Sequence, residues 1–187
     1  TGLVILWFYI YGNYKINNNQ KLLGESNNSI YVKIVSPNFE LKYGLSKKEI
    51  EKRFKKLIRY SNPEQDRKTL FIWPEGVFSG YSFDELKIFK KLLKNNFSDK
   101  HLIIFGANKL EKNTGNFFNS MFLIDNNFDT IQSYDKLKLV PFGEFLPFEK
   151  ILNYFGLKKI TEGYGSFLKG KNNSLIIIDD LNILPLI

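Results

Sequence analysis

Apolar residues in this chain fall into short runs divided by polar, asparagine-rich stretches, and the spacing inside each run predicts its element. Residues 31–35 lean toward a strand through Tyr31, Val32, Ile34 and Val35, and end at the turn signal Ser36-Pro37-Asn38. Ser46 followed by Glu49 is a capping box opening a helix to about residue 60. Ile50, Phe54, Leu57 and Ile58 share one face of it, with basic residues opposite, as in a helix with a core face and a solvated back. Residues 69–75 form an apolar β-type run that stops at Pro74 and then presents Glu75. Proline has no N–H to give, so the sheet ladder must end or bulge there. A helix is predicted over residues 83–95, with Leu86, Phe89, Leu92 and Leu93 as its stripe. Residues 102–106 read as a buried strand, with His101 before it as a solvated loop residue. Two more strands, 117–124 and 130–134, are joined by an Asn-Asn turn. Strand, helix, strand and then strand pairs predict a layered α/β domain.

The N-terminus differs. Residues 3–11 are continuously apolar and aromatic, which is too short for a bilayer span of about 20 residues. With no basic leader and no cleavage site, the run reads as the tail of a longer hydrophobic helix, its Trp and Tyr suited to a membrane interface; a buried N-terminal strand is the alternative. This gives the end of a transmembrane helix over 1–12, a polar linker over 13–30 and the domain over 31–187.

At 187 residues, 43% apolar and 16% aromatic, the chain supports one well-packed domain and is not disordered. The net charge of +8 suits nucleic acid or an anionic membrane surface. Its lysines are scattered, however, and no arginine-rich or RNP-like motif accompanies them, so nucleic acid is not an expected partner. The absence of cysteine excludes disulfides and cysteine-based metal sites.

Candidate chemistry concentrates in residues 134–148, where Asp135, Lys136, Lys138 and Glu144 stand among large apolar residues and Pro141, Gly143 and Pro147 constrain the backbone. Charges in such a setting are where shifted pKa values gather; a strand edge with snorkelling lysines is the plainer reading. Glu75, at the end of a buried strand, is a second candidate, since α/β folds commonly aim acidic groups in this way. A third feature fails. Residues 165–171 begin like a phosphate-binding loop, but Asn172 replaces the hydroxyl residue and strand-like residues 175–178 follow where a helix is required. Asp179-Asp180 reads as a hairpin turn rather than a metal site.

Trp73-Pro74-Glu75, Phe118-Asn119-Ser120 and the run from Tyr134-Asp135-Lys136 to Leu139-Val140-Pro141-Phe142-Gly143-Glu144-Phe145 and Pro147 resemble, in this order, the carbon–nitrogen hydrolase (nitrilase) superfamily. Within it they resemble the bacterial apolipoprotein N-acyltransferases more than the soluble amidases. The resemblance covers about residues 32–187. It implies a partial four-layer αββα sandwich of nitrilase type, truncated at the C-terminus, and a Glu–Lys–Cys triad without cofactor or metal. By the same resemblance Glu75 is the general base, expected to be partly buried beside a lysine. Lys136 stabilises the oxyanion, and Glu144 orients Lys136; a structural Lys136–Glu144 ion pair is the alternative.

The implied reaction moves a phospholipid acyl chain through a cysteine thioester to the N-terminal amine of an apolipoprotein, at the periplasmic face of the bacterial inner membrane. Phe142, Phe145, Leu146 and Phe148, with Ile151, Leu152, Tyr154 and Phe155, suit an acyl-chain channel or a membrane-dipping loop, although a plain core uses the same residue types. Two departures stand out. Gly76 takes the place of a small hydroxyl residue, and the nucleophilic cysteine, expected just after Ile187, is not in the chain. A soluble nitrilase-type amidase and a non-catalytic remnant are the alternative functions.

Overall fold

The computed structural model describes residues 2–20, 30–40, 42, 44–148, 166–171, 175–179, 181–185 and 187. A five-stranded sheet has the order β1 (Tyr31–Ile34), β2 (Thr69–Ile72), β3 (His101–Leu110), β4 (Phe117–Ile124), β5 (Thr130–Asp135). The first three strands are parallel and the last two antiparallel. A hairpin of β6 (Ile176–Ile178) and β7 (Leu181–Ile183) lies beyond them, turning at Asp179 as the sequence predicts.

Alternation along the strands explains why the sheet needs cover on both sides. Phe71, Ile103, Phe105, Phe122 and Ile124 face one way, into a cluster completed by α2 (Lys47–Ser61) and by Phe83, Leu86, Phe89 and Leu93. Leu70, Ile104 and Leu123 face the other way, against Ile176 and Ile178 of the hairpin. A helix layer, the sheet and a second β layer are thus in place, and the mixed α/β class expected from sequence is observed.

Phe54 of α2 sits at the centre of the first cluster. It is fully buried, stacked on Phe78 at 4.4 Å between ring centroids and tilted against Phe89 at 4.9 Å. Ser46 and Glu49 close the expected capping box, which starts the helix and sets that face against the sheet.

Several elements depart from the sequence reading. The helix expected over 83–95 is broken into α3 (Phe83–Leu86), a 3-10 turn (Lys87–Phe89) and α4 (Lys90–Lys94). Phe83 and Phe89 are both held in the aromatic core, Phe83 stacking on Phe122 at 4.1 Å, and the tighter turn between them leaves Ile88 exposed. His101 is not solvated. It opens β3 with no exposed surface; Nδ1 accepts from the Ser98 N–H at 2.9 Å, which leaves Nε2 to donate to the Glu64 carbonyl at 3.0 Å. Its ring is a satisfied core group beside Phe71 and Phe97.

At the N-terminus, α1 (Gly2–Gln20) runs eight residues past the boundary at residue 12, because a helix closes its own backbone hydrogen bonds whatever the polarity of its side chains. Leu3, Ile5, Trp7, Phe8 and Tyr9 are all exposed on it. Among the described residues no helix is long and apolar enough to cross a membrane.

Phe54→Ala should cost about 3–5 kcal/mol, through lost burial and the cavity left among the rings. Urea unfolding measures this; a loss below about 1 kcal/mol would mean that α2 does not anchor the core.

Candidate active site

The site forms beyond the C-terminal end of β2 and over the second half of β3, on the sheet face that carries the hairpin. The Trp73 N–H gives the last rung of β2 to the Ile104 carbonyl at 2.8 Å, and Pro74 ends the ladder. The chain then bends so that Glu75 stands over Gly106 of β3, where an added methyl would meet the Glu75 Cγ at 3.6 Å. Gly76 has φ +72°, in the left-handed region that side chains rarely adopt, which accounts for glycine where the resemblance places a hydroxyl residue. Arg53, buried in α2, fixes this bend from below by donating to the carbonyls of Val77 at 2.8 Å and Glu40 at 2.7 Å. Glu75 itself is exposed, contrary to the partial burial expected of it. It lies on a cavity of about 240 Å³ shared with Ser36, Asn38, Phe39 and Arg53.

Lys136 follows directly on β5. Its N–H donates to the Asn119 carbonyl and its carbonyl accepts from the Gly170 N–H, both at 2.9 Å, so its backbone is held on two sides. Its ammonium lies 3.0 Å from Glu144 Oε1, with the two side chains only 11% and 16% exposed. Glu144 rides on a tight turn in which its own N–H donates to the Val140 carbonyl and Phe142 takes φ +62°. A phenylalanine in that conformation is strained by roughly 1–2 kcal/mol. The Glu144 carboxylate helps hold the turn closed: Oε2 accepts from the Val140 N–H at 2.9 Å, while Oε1 accepts from both Lys136 and Asn119.

Asn119 joins the parts. Its side-chain amide donates to Glu144 Oε1 at 2.9 Å and reaches Glu75 Oε1 at 3.5 Å. All three residues singled out from the sequence therefore meet, through a fourth that was quoted only as part of a motif. Burial acts to raise the Glu144 pKa, but the Val140 N–H, Lys136 and Asn119 outweigh it and hold the carboxyl below its ordinary 4.5.

A larger apolar cavity of about 490 Å³ is lined by Leu137, Leu139, Phe145, Phe167 and Leu168 with Lys138 and Lys169, the sequence neighbours of Lys136 and Glu144 among them. Leu146 is buried, whereas Val140, Phe142 and Phe148 are exposed around the turn. Ile151, Leu152, Tyr154 and Phe155 lie outside the described residues, as does Gly165 at the start of the rejected phosphate loop. Among the described residues no group of three or more His, Asp or Glu side chains is placed to hold a metal.

The fold with this site at the strand ends is of the nitrilase type. A cysteine-to-alanine mutant of the Nesterenkonia AN1 amidase, from the nitrilase superfamily, superposes with a TM-score of 0.50 at 14% identity, over 83% of this chain and 54% of that one. In sequence, the chain has curated homologues named apolipoprotein N-acyltransferase. It is 31% identical to the one from Rhizobium leguminosarum bv. trifolii over 123 residues, which is 63% of this chain and 23% of that protein. The one from Brucella suis biovar 1 is 27% identical over 172 residues, 87% of this chain and 32% of that protein. The chain thus spans about a quarter to a third of the length of these relatives. No family model matches it.

A carboxyl with a lowered pKa adds stability that is fully present above its unfolded value and is lost as pH falls through the folded one. The protein should therefore lose stability below about pH 4.5 partly through Glu144. Glu144→Gln should flatten that acid limb, read as melting temperature between about pH 6 and about pH 3. Parallel curves for the two proteins would show that the Lys136–Glu144 contact is not kept in solution.

Proposed function

We propose that these residues form the base and oxyanion side of an N-acyltransferase site working through a cysteine thioester. The observation that carries this reading is the Asn119 amide, which gathers Glu75, Glu144 and, through Glu144, Lys136 at one strand-end surface. Glu75, exposed and at the cavity rim, takes the thiol proton, gives it to the leaving alcohol of the donor lipid, and later accepts one from the incoming amine. Lys136 supplies positive charge to the tetrahedral oxyanion, and its near-complete cover makes that charge more effective than it is in water. Glu144 keeps the ammonium charged and aimed.

The names of the relatives support an apolipoprotein nitrogen as the acyl acceptor; a phospholipid as the acyl donor is what the family resemblance implies. Two features of this chain agree with a lipid substrate. The apolar cavity begins at Leu137, one residue from Lys136, and the exposed Phe142 and Phe148 flank the turn that carries Glu144. The exposed apolar side chains of α1 favour a place at a membrane, and the family resemblance implies the periplasmic side of a bacterial inner membrane. The 187 residues contain no cysteine, so on this reading the nucleophile comes from outside them.

Offered phospholipid vesicles and a diacylglyceryl lipopeptide, the 187-residue protein should yield no N-acylated peptide by mass spectrometry. Product from it would remove the thioester from the account. The full gene product that contains these residues should form product, and Glu75→Gln or Lys136→Met should slow it by about 100-fold or more.

A further inference from the structure

On the opposite face of the sheet, directly behind Lys136, stands a cluster that the proposed reaction does not use. Asp135 ends β5, and its carboxylate is 22% exposed. Oδ1 accepts from Ser120 of β4 at 2.7 Å, and both oxygens accept from Lys109 of β3, at 3.0 and 2.9 Å. Ser120 has no exposed surface. One carboxylate therefore ties three neighbouring strands at the point where the chain leaves the sheet. On the other side of the backbone, a methyl on Gly170 would collide with the Asp135 carbonyl, so the strand-like segment around residues 167–170 closes directly on this peptide. That segment also bonds the Glu144 and Phe117 carbonyls, through the Phe167 and Leu168 N–H groups.

Successive side chains on a strand point to opposite faces, and a slip of one residue exchanges them. Asp135 faces the helix layer with Ser120 and Lys109, and this forces Lys136 toward Asn119 and Glu144. We infer that Asp135, held by Ser120 and Lys109, is a positioning residue that sets the register of β5 and so aims the Lys136 ammonium at Glu144. The inference rests on the proposed role of Lys136 for its functional meaning, but the contact it governs is observable without any reaction. Asp135 touches no reacting atom. It acts through the backbone of its neighbour, and hydrogen bonds to a charged group are strong enough to hold such a register.

The test is the titration of the Glu144 carboxyl by 13C NMR, with the ammonium cross peak of Lys136 as a second readout, in Asp135→Asn and Ser120→Ala. Removing a negative charge nearby lowers a carboxyl pKa by direct field effect. Loosening Lys136 from Glu144 raises it. The inference predicts an upward shift in Asp135→Asn, against the field effect, and an upward shift in the charge-neutral Ser120→Ala, with the Lys136 cross peak weakened in both. A downward or absent shift in either folded variant, even beside a lower melting temperature, would reduce the cluster to a structural clamp and overturn the inference. Should Asp135→Asn not fold, Ser120→Ala decides the question alone, since it changes neither charge nor backbone. Because the readout is the ion pair, upward shifts in both variants would sustain the positioning role even if the acyl-transfer assay failed and removed the proposed reaction.

Discussion

One carboxylate holds this arrangement together. Glu144 accepts from the Val140 N–H on one oxygen and from Lys136 and Asn119 on the other. Without the first bond, a turn that places Phe142 in the left-handed region loses part of what offsets its strain. Without the other two, a nearly covered ammonium has no counter-charge, and removing one partner of such a pair costs far more than the pair itself gains. The same group thus shapes the backbone and sets the electrostatics, and neither role is separable from the other.

The rest of the molecule delivers the partners to that point. β2 is buried along nearly all its length because both of its faces are covered, and its proline stop lets the chain bend so that Glu75 stands above Gly106. β4 and β5 run antiparallel, so Asn119 and Lys136 come from neighbouring strands on one face and share a backbone hydrogen bond. Arg53 reaches from the helix layer to the bend after Glu75, so core packing and site geometry are linked through a single buried guanidinium. Burial lowers its pKa, yet the two carbonyls it serves give its donors fixed partners.

Much of this was legible in the sequence because it is local. The capping box at Ser46, the alternation of the strands and the proline after Trp73 each act within a few residues, and each appears where expected. Lys136 and Glu144 are eight residues apart and joined by a constrained turn, so their contact was also readable. What escaped depends on distant partners. His101 looked like a loop residue because the groups that satisfy it, Ser98 and Glu64, are placed by the fold rather than by periodicity. The helix over 83–95 breaks because rings from two other elements claim Phe83 and Phe89. Asn119 carries no signal of its own, since an asparagine in a strand shows its value only when two carboxylates converge on it.

In the proposed reaction Glu144 acts through Lys136, and the two form one unit. A double-mutant cycle tests it most directly, with Lys136→Met and Glu144→Gln made singly and together in the full gene product and acyl transfer to a lipopeptide as the rate. Residues that act as a unit are strongly non-additive. Each single variant should lose most of the activity, and the double variant should be little worse than Lys136→Met alone. If the two losses multiply, or if Glu144→Gln leaves the rate unchanged, Glu144 is not the group that makes Lys136 work.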